Sequence, residues 1–219
     1  MKLSKHTLQM IKNFSSINTN ILFRPGNTIS TKSPSANIYG EYQTAETFPL
    51  TWGCYDVNEL LSILSTFQDP DLEFSERFLT ISEGNNRIRY LPADPEVLIF
   101  PKKAPNFPAD AEVEFELTAQ NFTQITRVAS ALKAPFLTVR GDRRNITLVV
   151  HDKETVNSKN FTVDVGTTEH EFEFHIKIEW LKMVPDNYTV SLTSKKWGKF
   201  SAESQYYIVT CEIDSTFTE

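Results

Sequence analysis

The first forty residues of this chain contain no acid at all; the first carboxylate is Glu41. The same stretch holds Lys2, Lys5, Lys12, Arg24 and Lys32. Other things are scarce. Seven glycines are too few for Gly-rich phosphate loops, and no Gly-x-Gly-x-x-Gly, Walker or His-Glu-x-x-His pattern occurs. Only two cysteines, Cys54 and Cys211, are present, which suits a reducing compartment better than a disulfide framework. No apolar run reaches the eighteen or so residues of a membrane span, and the polar, basic start has no apolar signal core.

The missing acid matters because the whole chain is acidic, with 28 Asp and Glu against 22 Lys and Arg. Charge alternates in blocks: +5 over residues 1–40, −10 over 41–116, +4 over 117–151 and −5 over 152–219. Each basic block opens on a predicted helix. An acidic protein that keeps helices free of acid is expected to turn them toward a polyanion.

The first helix runs from the N-cap Ser4 to about Ile17. Leu3, Leu8, Met10, Ile11, Phe14 and Ile17 fill one half of its wheel, and Lys5, His6, Gln9, Lys12, Asn13 and Ser16 the other. A second helix is expected from Asp56 to Phe67, its outer face polar without a base. A third is expected from Ala119 to Lys133, with Arg127 on an outer face lacking acid. A fourth, shorter one is expected from Ile178 to Met183. Alternating strands precede the last three, at Phe48–Cys54, Ala111–Leu117 and Glu169–Ile178, and hairpin strands follow all four. Helix starts near 4, 57, 118 and 178 are spaced 53, 61 and 60 apart, an internal repeat.

The implied fold is α+β, with two domains that each pack two helices on antiparallel sheet. The expected bounds are 1–91 and 109–219, joined by a connector at 92–108. That connector holds Pro92, Pro95, Pro101, Pro105 and Pro108 around the apolar island Val97–Phe100. Proline at this density excludes helix and interior strand, and the island is either an interaction site or packing against the sheet.

Catalytic candidates are weak. Glu169, Glu171, Glu173 and His175 share one strand face, as a hard-cation site would need. Glu112, Glu114 and Glu116 repeat the pattern without a histidine, which points to solvated acidic faces. His6, His151 and His170 lack partners at diagnostic spacing. Neither a metal nor a cofactor is expected.

Beyond physical pattern, the chain resembles the DNA polymerase sliding clamps of large tailed bacteriophages. Met1-Lys2-Leu3-Ser4-Lys5, Ile11-Lys12-Asn13-Phe14, Ile17-Asn18 and Ile21 carry the resemblance. So do Tyr55-Asp56-Val57-Asn58, Ile63-Leu64-Ser65, Pro92-Ala93-Asp94-Pro95, Phe107-Pro108, Arg127-Val128, Pro185-Asp186-Asn187-Tyr188, Tyr207-Ile208-Val209 and Asp214-Ser215-Thr216. It covers essentially the whole length. It implies a homotrimeric ring with six-fold pseudosymmetry around duplex DNA, without enzymatic activity, acting in the cytoplasm of the infected bacterial host. It also implies an ATP-driven clamp loader, a DNA polymerase tethered by a short peptide, and late-transcription factors as further partners.

By position, Lys5, Lys12, Arg127 and Lys182 would face DNA. Val97, Leu98, Ile99, Phe100 and Phe107 are the partner-binding candidates. Edge strands carrying Arg89, Tyr90, Phe161 and Val163 are the expected subunit joint. Two other readings stay open on residues alone: a non-ring nucleic-acid-binding or scaffold protein, and a metal-dependent hydrolase using the Glu169–His175 face.

Overall fold

A computed structural model describes residues 1–218. The chain divides into two units, Met1–Ala104 and Pro105–Glu219.

In the first unit, α1 spans Lys5–Ile17. Ser4 caps it by accepting from the Thr7 amide at 3.1 Å, and Met10, Ile11, Phe14 and Ile17 are buried beneath it. Strand β1 (Ile21–Phe23) pairs with β4 (Trp52–Cys54), and β2 (Gly26–Lys32) forms a hairpin with β3 (Ile38–Phe48). The expected alternating strand from Phe48 to Cys54 does not form. Phe48 ends β3, Pro49 can give no ladder hydrogen bond, and all three β4 residues are buried. Helix α2 (Val57–Leu64) is capped by Asp56 and buries Val57, Leu60 and Leu64. A meander follows, β5 (Asp71–Phe74), β6 (Leu79–Glu83) and β7 (Asn86–Tyr90), its last turn using Gly84 at φ +56°.

The segment after β7 is fastened to the first unit as far as Pro101. Ala93 N–H bonds Gly53 C=O at 2.9 Å, Ile99 N–H bonds Asn20 Oδ1 at 2.9 Å, and Asn18 Nδ2 donates to Ile99 C=O at 2.7 Å. Arg24 donates to Pro101 C=O at 2.8 Å. Helical turn is not wholly excluded here: one 3₁₀ turn spans Pro95–Val97, with proline at its first position, where no N–H is needed.

The second unit opens on β8 (Val113–Leu117) and α3 (Ala119–Leu132). Thr118 caps the start of α3, and Lys133 in the left-handed region (φ +53°) closes it. Then come β9 (Phe136–Asp142), β10 (Asn145–His151), β11 (Phe161–Thr167), β12 (Glu171–Lys177), β13 (Tyr188–Thr193), β14 (Trp197–Ser201), β15 (Gln205–Thr210) and β16 (Thr216–Thr218). One sheet has the order β11-β10-β9-β12-β16; β15, β14, β13 and β8 are neighbours in another. Helix α3 packs against β10 and β11.

The fourth helix is a correction. Only a single 3₁₀ turn, Ile178–Trp180, stands there, without a side-chain cap. Beyond it Leu181 and Met183 are buried while Lys182 between them is exposed, an extended period of two rather than a helical one. Among the described residues the α-helices are therefore α1 and α2 in the first unit and α3 in the second.

Candidate nucleic-acid interface

Helices α1 and α2 lie side by side, and their outer faces are as polar as the sequence requires. Lys5 and Lys12 are exposed on α1, opposite Asn58 and Ser62 of α2 and its C-cap Ser65. Among the described residues neither lysine has a carboxylate within ion-pairing distance, and neither does Arg127, exposed on α3. Unpaired cations on rigid helices present their whole field to solvent. Lys182 is exposed, but it stands on the extended segment after the 3₁₀ turn and not on a helix.

The position of α1 is set from β3. The Glu46 carboxylate accepts from the Ser4 amide and, at 2.6 Å, from the Thr7 hydroxyl. Burial pushes the Glu46 carboxyl up, but those hydrogen bonds outweigh it and hold it below the ordinary value. This anchor was not legible in sequence, because Glu46 is 42 residues from Ser4.

Two other arginines of the second basic block are engaged differently. Arg140 pairs with Glu173 at 2.6 Å across the β9–β12 pairing, and Arg143, in the turn after β9, pairs with Glu171 at 3.3 Å. These acids thus form partly neutralised faces on their sheet. Glu114 and Glu116 are exposed on β8 and accept from Ser191 and Thr189.

His175 departs from the expected solvated face. It is buried, and its Nδ1 lies 2.8 Å from Thr138 Oγ1, which also lies 2.8 Å from His151 Nε2. Thr138 faces His175 directly across the β9–β12 pairing, and His151 lies two residues beyond the Thr138 partner Val149 on β10. Burial lowers the affinity of both imidazoles for a proton, with Lys153 adding for His175 and Arg140 for His151. Among the described residues no group of three or more His, Cys, Asp or Glu could hold a metal ion. Burial pushes the thiols of Cys54 and Cys211 each up to about 12, leaving them inert hydrophobes.

The connector candidates separate by burial. Val97 and Ile99 are 61% and 43% exposed, whereas Leu98 is 8% exposed. A side chain at Gly53 would meet Leu98 Cδ1 at 2.9 Å, so Leu98 is seated in the first unit while its neighbours turn outward. Phe100 is half-buried with the Arg24 guanidinium 5.3 Å from its ring centre. In the second unit, Phe107 is half-buried beside a hollow of about 310 Å³ and has Lys199 at 6.0 Å from its ring.

The proposed joint residues sit on end strands. β7 is the last strand of its meander, with Arg89 over the Phe78 ring at 4.7 Å and Tyr90 hydroxyl on Glu59 at 2.6 Å. β11 is the end strand of its sheet, and Phe161, Val163 and Val165 alternate half-buried along it. No described helix is long and apolar enough to cross a membrane.

Comparison with known proteins places this geometry. A family model described as the C-terminal part of the gp45 sliding clamp matches residues 114–213, and one described as DNA polymerase processivity factor matches residues 2–100. The sliding clamp of Enterobacteria phage T4 is 31% identical over 227 residues, covering 99% of each chain. That of Escherichia phage RB69 is 30% identical over 231 residues, again covering 99% of each. In fold, the PCNA of A. fulgidus, solved with the C-terminal region of FEN-1 bound, overlays with a TM-score of 0.72 at 14% identity, covering 99% of this chain and 100% of that one.

Proposed function

We propose, from the premise that this chain belongs to the bacteriophage sliding-clamp family of DNA polymerase processivity factors, how its residues divide that work. Three copies close into a ring around duplex DNA, with α1, α2 and α3 turned to the hole. Lys5, Lys12 and Arg127 supply an averaged attractive field; Lys182, on extended chain, adds to it from outside the helices. The protein performs no catalysis of its own.

One observation carries this reading: three cations, unpaired among the described residues, project from acid-free helix faces of a chain with net charge −6. Sliding favours such a field over tight phosphate bonds, because each strong contact would resist movement along the duplex. Free protein therefore binds linear DNA near the weak end of non-specific affinity, about 10⁻⁴ M, without sequence preference. Topology holds the loaded ring.

The ends of β7 and β11 close the ring between copies. Both present unpaired edge groups, and Arg87 and Arg89 on one suit Asp164 on the other. An ATP-driven loader opens this joint. The polymerase peptide sits on Val97, Ile99 and Phe100 of the connector, with Leu98 anchoring the segment; Phe107, in the second unit, is a separate partner-binding candidate. Late-transcription factors use the same surface, in the cytoplasm of the infected host.

The test is loader-dependent processive synthesis by the variant with Lys5, Lys12 and Arg127 all changed to Ala. Folding is retained, because all three side chains are exposed. Processivity falls, and falls further as salt rises and screens what field remains. Processivity equal to the unmodified protein at every salt concentration removes these helices from the DNA-facing surface.

A further inference from the structure

A hollow of about 770 Å³ runs between α1 and α2, walled by both helices. Its lining includes Leu3, Leu8, Leu61 and Phe67, all half-buried, with exposed Lys5 and Lys12 along the α1 side. A duplex can satisfy the lysines but not the rest, since its charged, convex backbone offers too little apolar surface to fill a groove of leucine and phenylalanine. The groove has two chemistries, and nucleic acid matches one.

We infer that this groove docks an acidic amphipathic helix of a protein partner, laid along α1 and α2 as a third helix. The groove is of the size that takes up apolar anchors, and helix-in-groove binding reads such anchors at i, i+4 and i+7. Lys5 and Lys12 are seven residues apart, about 10 Å along the axis, so two carboxylates at the same spacing meet both. The α2 rim offers the neutral groups of Asn58 and Ser62. Asp69, the carboxylate in the lining, is already paired with Lys2, so no unpaired acid in the lining opposes an acidic guest.

One consequence rests on the DNA reading above. The same lysines serve both ligands, so the helix and the duplex exclude each other, and a partner bound here distinguishes an empty ring from a loaded one.

The test uses the full chain and a fluorescein-labelled peptide of roughly eighteen residues, with leucines at i, i+4, i+7 and i+11 and glutamates flanking them. Anisotropy saturates with a dissociation constant of about 10–100 μM. The same peptide with lysine for glutamate does not bind. Binding weakens about tenfold or more in Lys5→Glu with Lys12→Glu. It is lost in Ser62→Trp, which fills the groove from an exposed position and leaves the circular dichroism unchanged. Absent saturation up to about 1 mM, equal binding by the lysine peptide, or indifference to both variants overturns the inference. If the triple Ala variant loses processivity but the peptide fails to bind, the groove inference falls and the DNA reading stands. If the peptide binds as stated while that variant keeps full processivity, the DNA reading falls and the groove inference stands.

Discussion

The Glu46 carboxylate on β3 accepts the Thr7 hydroxyl of α1 at 2.6 Å, and Thr7 is fully buried. The same carboxylate accepts from the Ser4 amide, one of the donors a helix start leaves unpaired. The helix that carries Lys5 and Lys12 is therefore held by an acid on its inner side, where it does not weaken the outward field.

Glu46→Gln should loosen α1 selectively. Gln keeps the shape but loses the charge, and its single carbonyl oxygen can accept from only one of the two donors, Ser4 N–H or the Thr7 hydroxyl, a cost of about 1–2 kcal/mol. Amide exchange over residues 5–11 should then speed by about tenfold at pH 7, with β9 and β10 unaffected. The folded carboxyl lies below its ordinary 4.5, so its contribution is full above that value and lost as pH falls through the folded one. The difference between variant and parent should therefore shrink in acid. A difference constant from pH 7 to pH 3.5 contradicts this account.

Acid should also act through His151 and His175. Both hold protons less readily than the ordinary 6.5, so the unfolded chain takes up protons first. Their share of stability is full above about pH 6.5 and declines as pH falls below it. Thr138 has one hydroxyl proton and two lone pairs, so it can donate to one neutral ring while accepting from the other. Urea midpoints measured from pH 7.5 to pH 5 should fall in the parent and flatten in His151→Gln with His175→Gln. Parallel curves would place the titration elsewhere.

The connector should depend on Gly53. A Cβ there would stand 2.4 Å from Ala93 C=O and 2.9 Å from Leu98, and backbone cannot give way as a side chain can. Gly53→Ala should cost about 1–3 kcal/mol and free residues 92–101 to protease before the rest of the chain. Unchanged protection would mean that the strap is held by Asn18, Asn20 and Arg24 alone.

Phe100→Ala and Phe107→Ala should weaken capture of a polymerase peptide by about 2–3 kcal/mol each, while native mass stays that of the parent assembly. Equal peptide binding in both variants would remove the connector from the partner surface.

Val163→Lys should shift native mass at micromolar concentration toward the monomer. Val163 is half-buried on an end strand, and in the proposed joint a charge there would meet the edge of the neighbouring copy. A variant that assembles like the parent places the joint elsewhere.

Local pattern by itself determined a good deal. Ser4, Asp56 and Thr118 mark the starts of the α-helices because capping chemistry lies within three residues. The outer faces of α1 and α3 follow from periodicity, so local pattern alone puts Lys5, Lys12 and Arg127 outward. Family membership was legible as well, since motifs such as Met1–Lys5 and Pro185–Tyr188 are local strings.

Tertiary structure decided the rest, wherever a residue's fate depends on a distant one. His175 looked solvated by alternation, yet it is buried, with its Nδ1 at Thr138, whose hydroxyl also meets His151 from a third strand. Residues 178–183 looked helical, yet Leu181 and Met183 are drawn inward on an extended segment that leaves Lys182 outside. Leu98 belonged to an island that local pattern left as either an interaction site or packing against the sheet, and the space above Gly53 makes Leu98 core. Periodicity records which faces are apolar, but only packing decides what covers them.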